Sequence, residues 1–398
     1  MLVVTETHPI QYHAPVFRFL QKELGIPVTV IYGSDFSVRE YLDVEFGERF
    51  AWDTDLLSGY QSVFLSRVSE GGARKVKEVS PRGLTELLRQ ISPEALLVAG
   101  YGHAFHRSAL LAGWRQKVPM LFRAETNDED RERGLAKRIA RDAGLRSLYR
   151  RCERLLYIGE RSRSHFQRLG VSDDKLVFSP YCIDASSFET DEAARGRLRS
   201  PTRELLGIGP QQNAILFSGK LSSRKGPDLL LRAVKAIEPG LRAKITVIFL
   251  GNGEMKQALA RLAQAEPCVN VVFAGFKNQS ELSPYYHAAD MLVLPSRHSE
   301  TWGLVVNEAL HHGLPCVVSS VVGCGSDLIA SGMSGEVFET DSVDSLASAI
   351  NHALELVEQP GIRERCRTKV AAYSVDRAAR GIAEAYHSVA PQTDYALA

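Results

Sequence analysis

An apolar run, Met291-Leu292-Val293-Leu294, is followed at residues 296–315 by the sequence SRHSETWGLVVNEALHHGLP. A short apolar run bounded by polar residues predicts a buried strand of a parallel sheet. The polar loop after it leads into a predicted helix that begins at Gly303 and stops at Gly313-Leu314-Pro315. A strand, a loop and a helix in this order are typical of the repeating unit of an open α/β sheet.

Apolar runs of the same kind recur along the sequence of 398 residues, separated by longer amphipathic stretches. Nearly continuous Val, Ile and Leu suit parallel strands that helices cover on both faces. The pattern therefore predicts an α/β protein with two Rossmann-like, doubly wound domains. The predicted strands are Leu2–Thr5, Val28–Tyr32, Leu96–Ala99, Met120–Arg123, Leu155–Ile158, Leu176–Phe178, Ala214–Ser218, Ile245–Leu250, Val269–Phe273, Met291–Leu294 and Cys316–Ser319.

The boundary between the two domains is predicted at Asp184–Asn213, because this stretch is rich in charged and small residues and interrupts the periodicity. We assign residues 1–190 to the first domain and residues 200–373 to the second. A last helix within residues 374–390 follows another helical stretch without a new strand. We expect it to return to the first domain.

Charge and cysteine usage exclude several classes of protein. The 48 Lys and Arg side chains oppose 47 Asp and Glu, a net charge of +1, so no overall field favours nucleic acid. The six cysteines show neither a CxxC pair nor a zinc-binding spacing, which favours a reduced, cytoplasmic setting. We find no signal-peptide pattern and no apolar run near the roughly 18 residues that cross a bilayer.

Two acidic residues flank the start of the helix that follows Leu294. Glu300 is predicted in the loop and Glu308 in the second helical turn, at the edge of the sheet where open α/β proteins bind ligands. A carboxylate can accept hydrogen bonds from neighbouring hydroxyl groups, and amides at a helix start suit a diphosphate. The pattern indicates a nucleotide sugar, although the two Glu taken alone favour a structural role, with Glu300 complementing the helix dipole and Glu308 solvated.

A second polar loop, FSGKLSSRKGPD at residues 217–228, ends another predicted strand. Gly226 and Pro227 open the next helix, so Lys220 and Lys225 lead into a helix start. Two ammonium groups there would stabilise charge that develops on a diphosphate leaving group. Alone, the loop is also compatible with a basic surface. Its spacing is not that of a Walker A motif, which argues against a P-loop ATPase.

Glycine turns end two further predicted strands, at Gly251-Asn252-Gly253 and at Phe273-Ala274-Gly275. The first is not a GxGxxG motif, which argues against a dinucleotide site. Backbone around Gly275 and Phe276 could hydrogen-bond the edge of a nucleotide base. Ordinary tight turns are an equal alternative for both.

The order and spacing of these motifs resemble those of the retaining GT-B glycosyltransferases of family 4. The motifs are Gly219-Lys220-Leu221, Lys225-Gly226, the two glycine turns and Glu300-x7-Glu308. Tyr373-Ser374-Val375-Asp376 is similar to the start of that family's C-terminal helix, which crosses back to the N-terminal domain. The resemblance covers residues 214–389 well and the N-terminal half more loosely. It implies two Rossmann-like domains that face each other across a cleft.

The same resemblance implies the function. A sugar would move from a nucleoside diphosphate sugar, with UDP as the favoured nucleotide, to a hydroxyl group of a glycan or lipid-linked acceptor. No metal or other cofactor would be required. Polysaccharide or glycolipid synthesis is the pathway that the family suggests.

Roles of individual residues also follow from the resemblance. Glu308 would hold the ribose hydroxyls and Glu300 the hydroxyls of the transferred sugar, while Lys220 and Lys225 would bind the diphosphate. The family usually has Arg where this sequence has Lys220, which keeps the charge and loses the bidentate fork. The other donor-binding residues so implied are Gly219, Gly251, Gly253, Gly275, Phe276, Thr301, Trp302, Gly303, Leu304 and His13.

The N-terminal half departs from the family pattern. The sequence THPIQYH at residues 7–13 stands in place of a glycine-rich loop after the first strand, and Arg123-Ala124-Glu125 stands in place of a strand-end His. Arg123 and Glu125 are candidates for contacts to the reacting sugar, as are His13 and His103. For each His a structural role is the alternative.

Nine basic residues lie between Arg131 and Arg154. With an apolar stripe of Leu135, Ile139, Ala143 and Leu148, they predict a helix. A solvated basic face is the favoured interpretation. The alternative is a surface for anionic lipid headgroups or a lipid diphosphate acceptor, which implies peripheral contact of residues 131–154 with the inner face of a membrane.

Three other functions were weighed. A non-catalytic nucleotide- or glycan-binding protein on the same scaffold stays open, because the strand-end His is replaced. A metal-dependent GT-A enzyme would use an Asp-x-Asp, but neither Asp53-Thr54-Asp55 nor Asp128-Glu129-Asp130 clearly ends a strand. An NAD(P) oxidoreductase predicts a GxGxxG after Leu2–Thr5, and none is present.

Overall fold

The computed structural model of the protein describes residues 1–38, 41–43, 48–50, 52–126, 128, 134–265 and 269–390. Strands and helices alternate along most of these ranges. The strands are β1 (Leu2–Glu6), β2 (Val28–Tyr32), β3 (Tyr41–Asp43), β4 (Glu48–Phe50), β5 (Gln61–Phe64), β6 (Ala95–Val98), β7 (Met120–Arg123), β8 (Arg154–Tyr157), β9 (Leu176–Phe178), β10 (Asn213–Ser218), β11 (Ile245–Leu250), β12 (Asn270–Gly275), β13 (Met291–Leu294), β14 (Cys316–Ser319) and β15 (Gly335–Phe338).

The α-helices are α1 (Ala14–Lys22), α2 (Leu84–Ile91), α3 (Ala104–Arg115), α4 (Leu135–Arg150), α5 (Glu160–Arg168), α6 (Glu192–Leu205), α7 (Pro227–Ala236), α8 (Pro239–Arg242), α9 (Lys256–Ala265), α10 (Ser283–Ala288), α11 (Leu304–His311), α12 (Gly325–Leu328), α13 (Val343–Val357), α14 (Ile362–Val370) and α15 (Val375–His387). Short 3₁₀ helices lie at Val68–Glu70, Val76–Glu78, Asp173–Lys175, Ala185–Ser187, Ser223–Lys225 and Gln279–Glu281. None of the described helices combines the length and the apolar character needed to cross a bilayer.

Two parallel sheets form the two domains. The N-terminal sheet has the order β5-β2-β1-β6-β7-β8-β9 and the C-terminal sheet the order β12-β11-β10-β13-β14-β15, while β3 and β4 form an antiparallel pair. The prediction of an α/β protein with two doubly wound domains is confirmed. In each sheet the chain winds outward in both directions from its first strand, so the loops after β1 and β6, and after β10 and β13, diverge. Ligands bind at such switch points.

Each sheet is covered by apolar residues on both faces. Val4 and Val3 of β1 lie in different core clusters, as do Leu216 and Phe217 of β10, and all four are 0% exposed. Successive side chains of a strand point to opposite faces. The nearly continuous apolar runs are thus explained by helices on either side of each sheet.

The last helix, α15, packs on the N-terminal domain. The hydroxyl of Ser374 accepts a hydrogen bond from the backbone N–H of Arg377 at its start, as is usual for an N-cap. Against β9 the helix is so close that a Cβ at Gly381 would lie 2.1 Å from the carbonyl oxygen of Phe178. The Ser179 hydroxyl donates to the carbonyl of Ala378 at 2.9 Å. The end of the chain therefore covers one face of the first sheet.

The stretch Asp184–Asn213, where the domain boundary is predicted, contains the helix α6. The Asp191 carboxylate accepts the N–H of Ala194 at 2.7 Å and caps this helix, which also includes Pro201. Its buried residues are mainly polar. Arg203 is 6% exposed, and donates to Asp290 and to the carbonyl of Ala288 at 3.3 and 2.9 Å. The helix thus binds the C-terminal domain through arginines rather than through an apolar stripe.

The predicted helix within residues 131–154 is present as α4. Leu148 of the predicted apolar stripe packs against the core, but two other members of the stripe do not. Ile139 is 60% exposed and Ala143 is exposed. The inner face instead carries Leu145, Tyr149 and the acidic Asp142, whose carboxylate accepts from Arg168 at 2.6 Å. Pairing with Arg168 offsets the cost of burying that charge, so an acidic residue can stand on the inner face beside Leu145. Residues 131–133 lie outside the described ranges.

We predict that Gly381→Ala destabilises the N-terminal domain. The added methyl group would collide with the backbone of β9, and such overpacking costs about 1–3 kcal/mol. The free energy of unfolding in urea should fall accordingly. Gly196→Ala in α6 is the control, because no atom lies within 4 Å of the new Cβ and Ala favours the helix by about 0.5–1 kcal/mol. Equal losses in the two variants would contradict the close packing of α15.

Candidate functional site

The loops after β10 and β13 lie side by side, because these two strands pair in the C-terminal sheet. At Gly226, which has φ 65°, a Cβ would come within 2.3 Å of the Pro295 carbonyl oxygen, so this approach requires glycine. The Arg297 guanidinium donates to both carboxylate oxygens of Asp228, at 2.8 and 2.9 Å. The Arg297 N–H also donates to the Arg224 carbonyl at 2.8 Å. The two loops are thereby held against each other.

Glu300 and Lys225 meet where these loops touch. The Lys225 ammonium group donates to the Glu300 carboxylate, which also accepts from the Ser296 hydroxyl at 2.7 Å. Arg224 lies 3.7 Å from the same oxygen. Burial alone would raise the pKa of Glu300, but Lys225 and its other partners outweigh burial and hold the pKa below its usual value. Glu300 is therefore an ionised carboxylate beside two cations.

Three glycine turns line the same edge of the sheet. The N–H of Gly219 donates to Leu250 and that of Gly251 donates to Gly275, both at 2.9 Å. A Cβ at Gly251 would lie 2.0 Å from the Gly219 carbonyl oxygen, so the turns stack as closely as backbone allows. This stacking places further predicted donor-binding residues along the edge, namely Lys220, Gly253 and Phe276.

Gly303 is the N-cap of α11, with φ 103°, and brings Thr301 and Leu304 to the carboxyl end of β13. The side chain of Trp302 points elsewhere. It is 3% exposed, and its indole N–H donates to Asn307 at 2.9 Å. A Cβ at Gly159 of the N-terminal domain would lie 2.4 Å from its ring. The Trp302 side chain is thus buried between the domains and is not available to a ligand, which corrects its assignment to the donor.

Glu308 is deeply buried in α11. Its carboxylate accepts from the Tyr286 hydroxyl at 2.5 Å and from the Tyr12 hydroxyl of the N-terminal domain at 3.5 Å. Burial raises the pKa of Glu308 to about 7, although both tyrosines lower it. The ring of His312 stacks on Tyr286 with centroids 4.8 Å apart. Glu308 therefore changes charge near neutral pH, unlike Glu300.

A cleft of about 560 Å³ lies between the domains, lined by the loops after β1, β6 and β7 together with Thr301. Glu125 reaches across it and accepts a hydrogen bond from the Thr301 hydroxyl. Arg123 lines the cleft, but its guanidinium donates to the carbonyls of Ser179 and Pro180 at 3.2 and 2.8 Å. Glu125 thus joins the two domains, whereas Arg123 ties β7 to the end of β9.

Histidines form the N-terminal wall of this cleft. His13 Nδ1 lies 2.8 Å from a carboxylate oxygen of Glu6, and its Nε2 has no hydrogen-bond partner among the described residues. His103 lines the cleft with His8 and His106. Burial lowers the pKa of His8 to about 4 and also lowers that of His106, so both rings are neutral at pH 7.

Sequence reasoning missed several of these groups. Glu6 ends β1 and is 3% exposed; a carboxylate at the end of a buried strand was the signal that would have indicated it. Tyr12 and Tyr286 contact Glu308 from distant parts of the chain, and no local pattern marks them. Arg224 lies in the same basic loop as Lys220 and Lys225, which were predicted to bind the diphosphate.

The described acidic side chains of the two clusters bind protein groups. Asp53 accepts the N–H of Ser280 from the C-terminal domain at 3.2 Å. Asp55 accepts the N–H groups of Leu57 and Ser58 at 3.1 and 3.0 Å, and Asp128 accepts from Arg168 at 2.6 Å. Glu129 and Asp130 lie outside the described residues. Within the described ranges, no group of three or more His, Cys, Asp or Glu side chains is arranged to hold a metal ion.

Comparisons with known proteins cover both halves of the chain. Residues 199–373 match the family model "Glycosyl transferases group 1", and residues 21–182 match "Glycosyl transferase 4-like domain". A D-inositol 3-phosphate glycosyltransferase of Frankia alni is 31% identical over 223 residues, which is 52% of each protein. The chain therefore spans about half the length of that relative.

Solved structures share the fold over nearly the whole chain. A glycosyltransferase from Rickettsia africae has a TM-score of 0.69 at 13% identity, covering 98% of this chain and 99% of the other. Anabaena Alr3699/HepE in complex with UDP-glucose has a TM-score of 0.67 at 16% identity, covering 97% and 99%. At these identities the likeness shows the fold alone.

We predict that the raised pKa of Glu308 makes wild type lose stability relative to Glu308→Gln as pH rises. The folded pKa of about 7 exceeds the unfolded value, so protonation stabilises the fold below pH about 4.5 and this contribution is lost as pH passes 7. Urea unfolding at pH 5 and pH 8 measures the difference. Glu300→Gln should show no such relative loss, because Lys225 favours the charged form of Glu300. If the difference in unfolding free energy between wild type and Glu308→Gln is the same at both pH values, the raised pKa of Glu308 is contradicted.

Proposed function

Since this chain belongs to the group 1 glycosyltransferases of GT-B fold, we propose that it moves a sugar, with retention of configuration, from a nucleoside diphosphate sugar to an acceptor hydroxyl. A UDP-sugar is the favoured donor, and a hexose the favoured sugar. The structural neighbour in complex with UDP-glucose supports this choice. The acceptor would be a glycan or a lipid-linked molecule of polysaccharide or glycolipid synthesis.

The contact of Glu300 with Lys225 is the observation that carries the proposal. An ionised carboxylate and an ammonium group share one position at the start of α11. A diphosphate there would replace Glu300 as the partner of Lys225, and would also gain the first N–H groups of the helix. The freed Glu300 carboxylate would accept hydrogen bonds from hydroxyls of the transferred sugar.

Transfer breaks the bond between the anomeric carbon and a diphosphate oxygen, and the electron pair leaves with the diphosphate. Lys220, Lys225 and Arg224 stabilise that negative charge. The acceptor hydroxyl oxygen forms the new bond to the anomeric carbon, and its proton passes to the released diphosphate or to water. Three side-chain cations can supply the stabilisation that a divalent metal gives elsewhere, so we propose metal-independent transfer.

The acceptor would enter the cleft of about 560 Å³ on the N-terminal side. Glu125, bound to Thr301 from the other domain, lies beside the place where donor and acceptor would meet. His13 and His103 offer ring nitrogens to acceptor hydroxyls. Approach of the two domains would exclude water from the reacting sugar.

A non-catalytic nucleotide- or glycan-binding protein is the second candidate. It is favoured by the position of Arg123, which stands at a strand end where the family has His and whose guanidinium is bound to backbone carbonyls. Such a protein would bind the donor and release no nucleotide. Measured hydrolysis or transfer of a bound donor distinguishes the two functions.

Contact with an anionic membrane is proposed for the outer face of α4. Lys137 and Arg138 are exposed there, together with Ile139. A basic face with an exposed apolar side chain suits the surface of a bilayer that contains anionic lipids. This contact would bring a lipid-linked acceptor close to the cleft.

We predict that a UDP-sugar raises the melting temperature of the protein more than GDP-, ADP- or dTDP-sugars do. A ligand that binds only the folded state stabilises it by about 2.7 kcal/mol at a concentration 100 times its Kd. A thermal-shift panel of the four nucleotide sugars measures this. If none of the four raises the melting temperature, the proposed donor site is contradicted. If another nucleotide sugar raises it most, the assignment of UDP as the donor nucleotide is wrong.

We also predict that Lys225→Ala lowers kcat/KM for sugar transfer by about 10²–10³-fold, the usual loss when one group that stabilises developing charge is removed. Glu300→Gln should lower kcat/KM as well, because it removes the carboxylate that would bind hydroxyls of the transferred sugar. The assay measures nucleotide release with EDTA present. Lys369→Ala is the control, because this lysine is exposed on α14, and it should retain full activity. Activity of wild type that disappears in EDTA would contradict metal independence, and full activity of Lys225→Ala would contradict the site.

A further inference from the structure

A second concave site lies at the opposite end of the N-terminal sheet from the cleft. It has a volume of about 370 Å³ and is lined by the last turns of α4, the turn after α5 and Lys175, which precedes β9. We name it the basal pocket. Because the strands are parallel, this pocket lies at their amino ends and the cleft at their carboxyl ends. The two sites share no lining residue.

Positive charge concentrates in the basal pocket. Arg146 and Arg150 stand one turn apart on α4, and in the described part of the chain neither side chain has a hydrogen-bond or ion-pair partner. Lys175 donates to the carbonyls of Cys152 and Arg150 at 3.1 and 3.5 Å. Arg168 differs, because Asp128 and Asp142 neutralise it. Three cations therefore face one cavity without a carboxylate partner among the described residues.

The floor of the pocket is formed by buried side chains. Tyr149 is 1% exposed and Leu169 is 3% exposed, and the Tyr149 hydroxyl lies 3.1 Å from His165 Nε2. Like charges four residues apart on a helix repel each other, so an anion between Arg146 and Arg150 would stabilise both. The volume is within the range of small-molecule sites.

We propose that the basal pocket binds a phosphate group. The planar guanidinium donors of Arg146 and Arg150 match the oxygens of a phosphate in bidentate geometry, and Lys175 adds a point charge. The ligand is the phosphate of a free metabolite or of a lipid headgroup, since both present the same chemistry. This proposal does not depend on the donor site.

Equilibrium dialysis with radiolabelled inorganic phosphate tests the free source, with UDP present to fill the donor site. Flotation with vesicles that contain phosphatidic acid tests the headgroup source, against vesicles of phosphatidylcholine alone. The test variant is Arg146→Gln with Arg150→Gln. The matched control, Lys256→Gln with Arg261→Gln, removes two exposed charges from α9, a helix outside both the pocket and the proposed membrane face.

Wild type should bind one of the two probes saturably, and the test variant should bind it at least about tenfold more weakly, while the control binds as wild type does. Binding of phosphate assigns a free ligand, and binding of vesicles alone assigns a headgroup. The test variant should retain the transfer rate and melting temperature of wild type. The proposal is overturned if neither probe binds, or if the control loses as much binding as the test variant.

Discussion

The approach of Gly226 to the carbonyl of Pro295 fixes the geometry on which the donor side of the cleft depends. It sets the distance between the loops after β10 and β13, and any side chain at this position would push them apart. The ion pair between Arg297 and Asp228 also holds these two loops together. Burial would raise the pKa of Asp228, but Arg297 outweighs burial and keeps that pKa below its usual value. Asp228 therefore stays ionised. Loss of Arg297 would be costly, because Asp228 is 5% exposed and would lose both of its shortest contacts to a cation.

The cleft depends equally on how the domains meet. Trp302 fills the space beside Gly159, and the Asp327 carboxylate accepts the N–H of Glu160 at 2.9 Å and the hydroxyl of Tyr373 at 2.8 Å. Tyr373 stands just before α15, which covers the N-terminal sheet. The chain therefore ties the second domain to the first on the same side as the cleft. This arrangement explains why a residue predicted to touch the donor is instead part of the interface.

Much of the fold could be predicted, because strands buried on both faces leave a clear apolar run in the sequence. The edge strands β5 and β15 were missed, since Gln61–Phe64 and Gly335–Phe338 mix polar and apolar residues as half-exposed strands do. Helix α6 was missed because arginines, not apolar side chains, make its contacts. The proximity of Lys225 and Glu300 could be predicted, because loops that follow adjacent parallel strands lie at the same edge of the sheet. The contact of Glu6 with His13 and those of Tyr12 and Tyr286 with Glu308 could not be predicted, because no local sequence pattern marks them.

Glu300 and Glu308 show most clearly what a sequence motif leaves undetermined. They are eight residues apart and nearly equally buried, at 8% and 3% exposure, yet their pKa values shift in opposite directions. A cation touches Glu300, whereas Glu308 accepts hydrogen bonds from two neutral hydroxyls. Hydroxyls cannot offset the loss of hydration as a cation can. The ionised carboxylate is thus paired with the group that would bind the diphosphate. The titrating carboxylate is placed between Tyr286 of its own domain and Tyr12 of the N-terminal domain, so the same acidic residue type serves a different environment eight residues further along the chain.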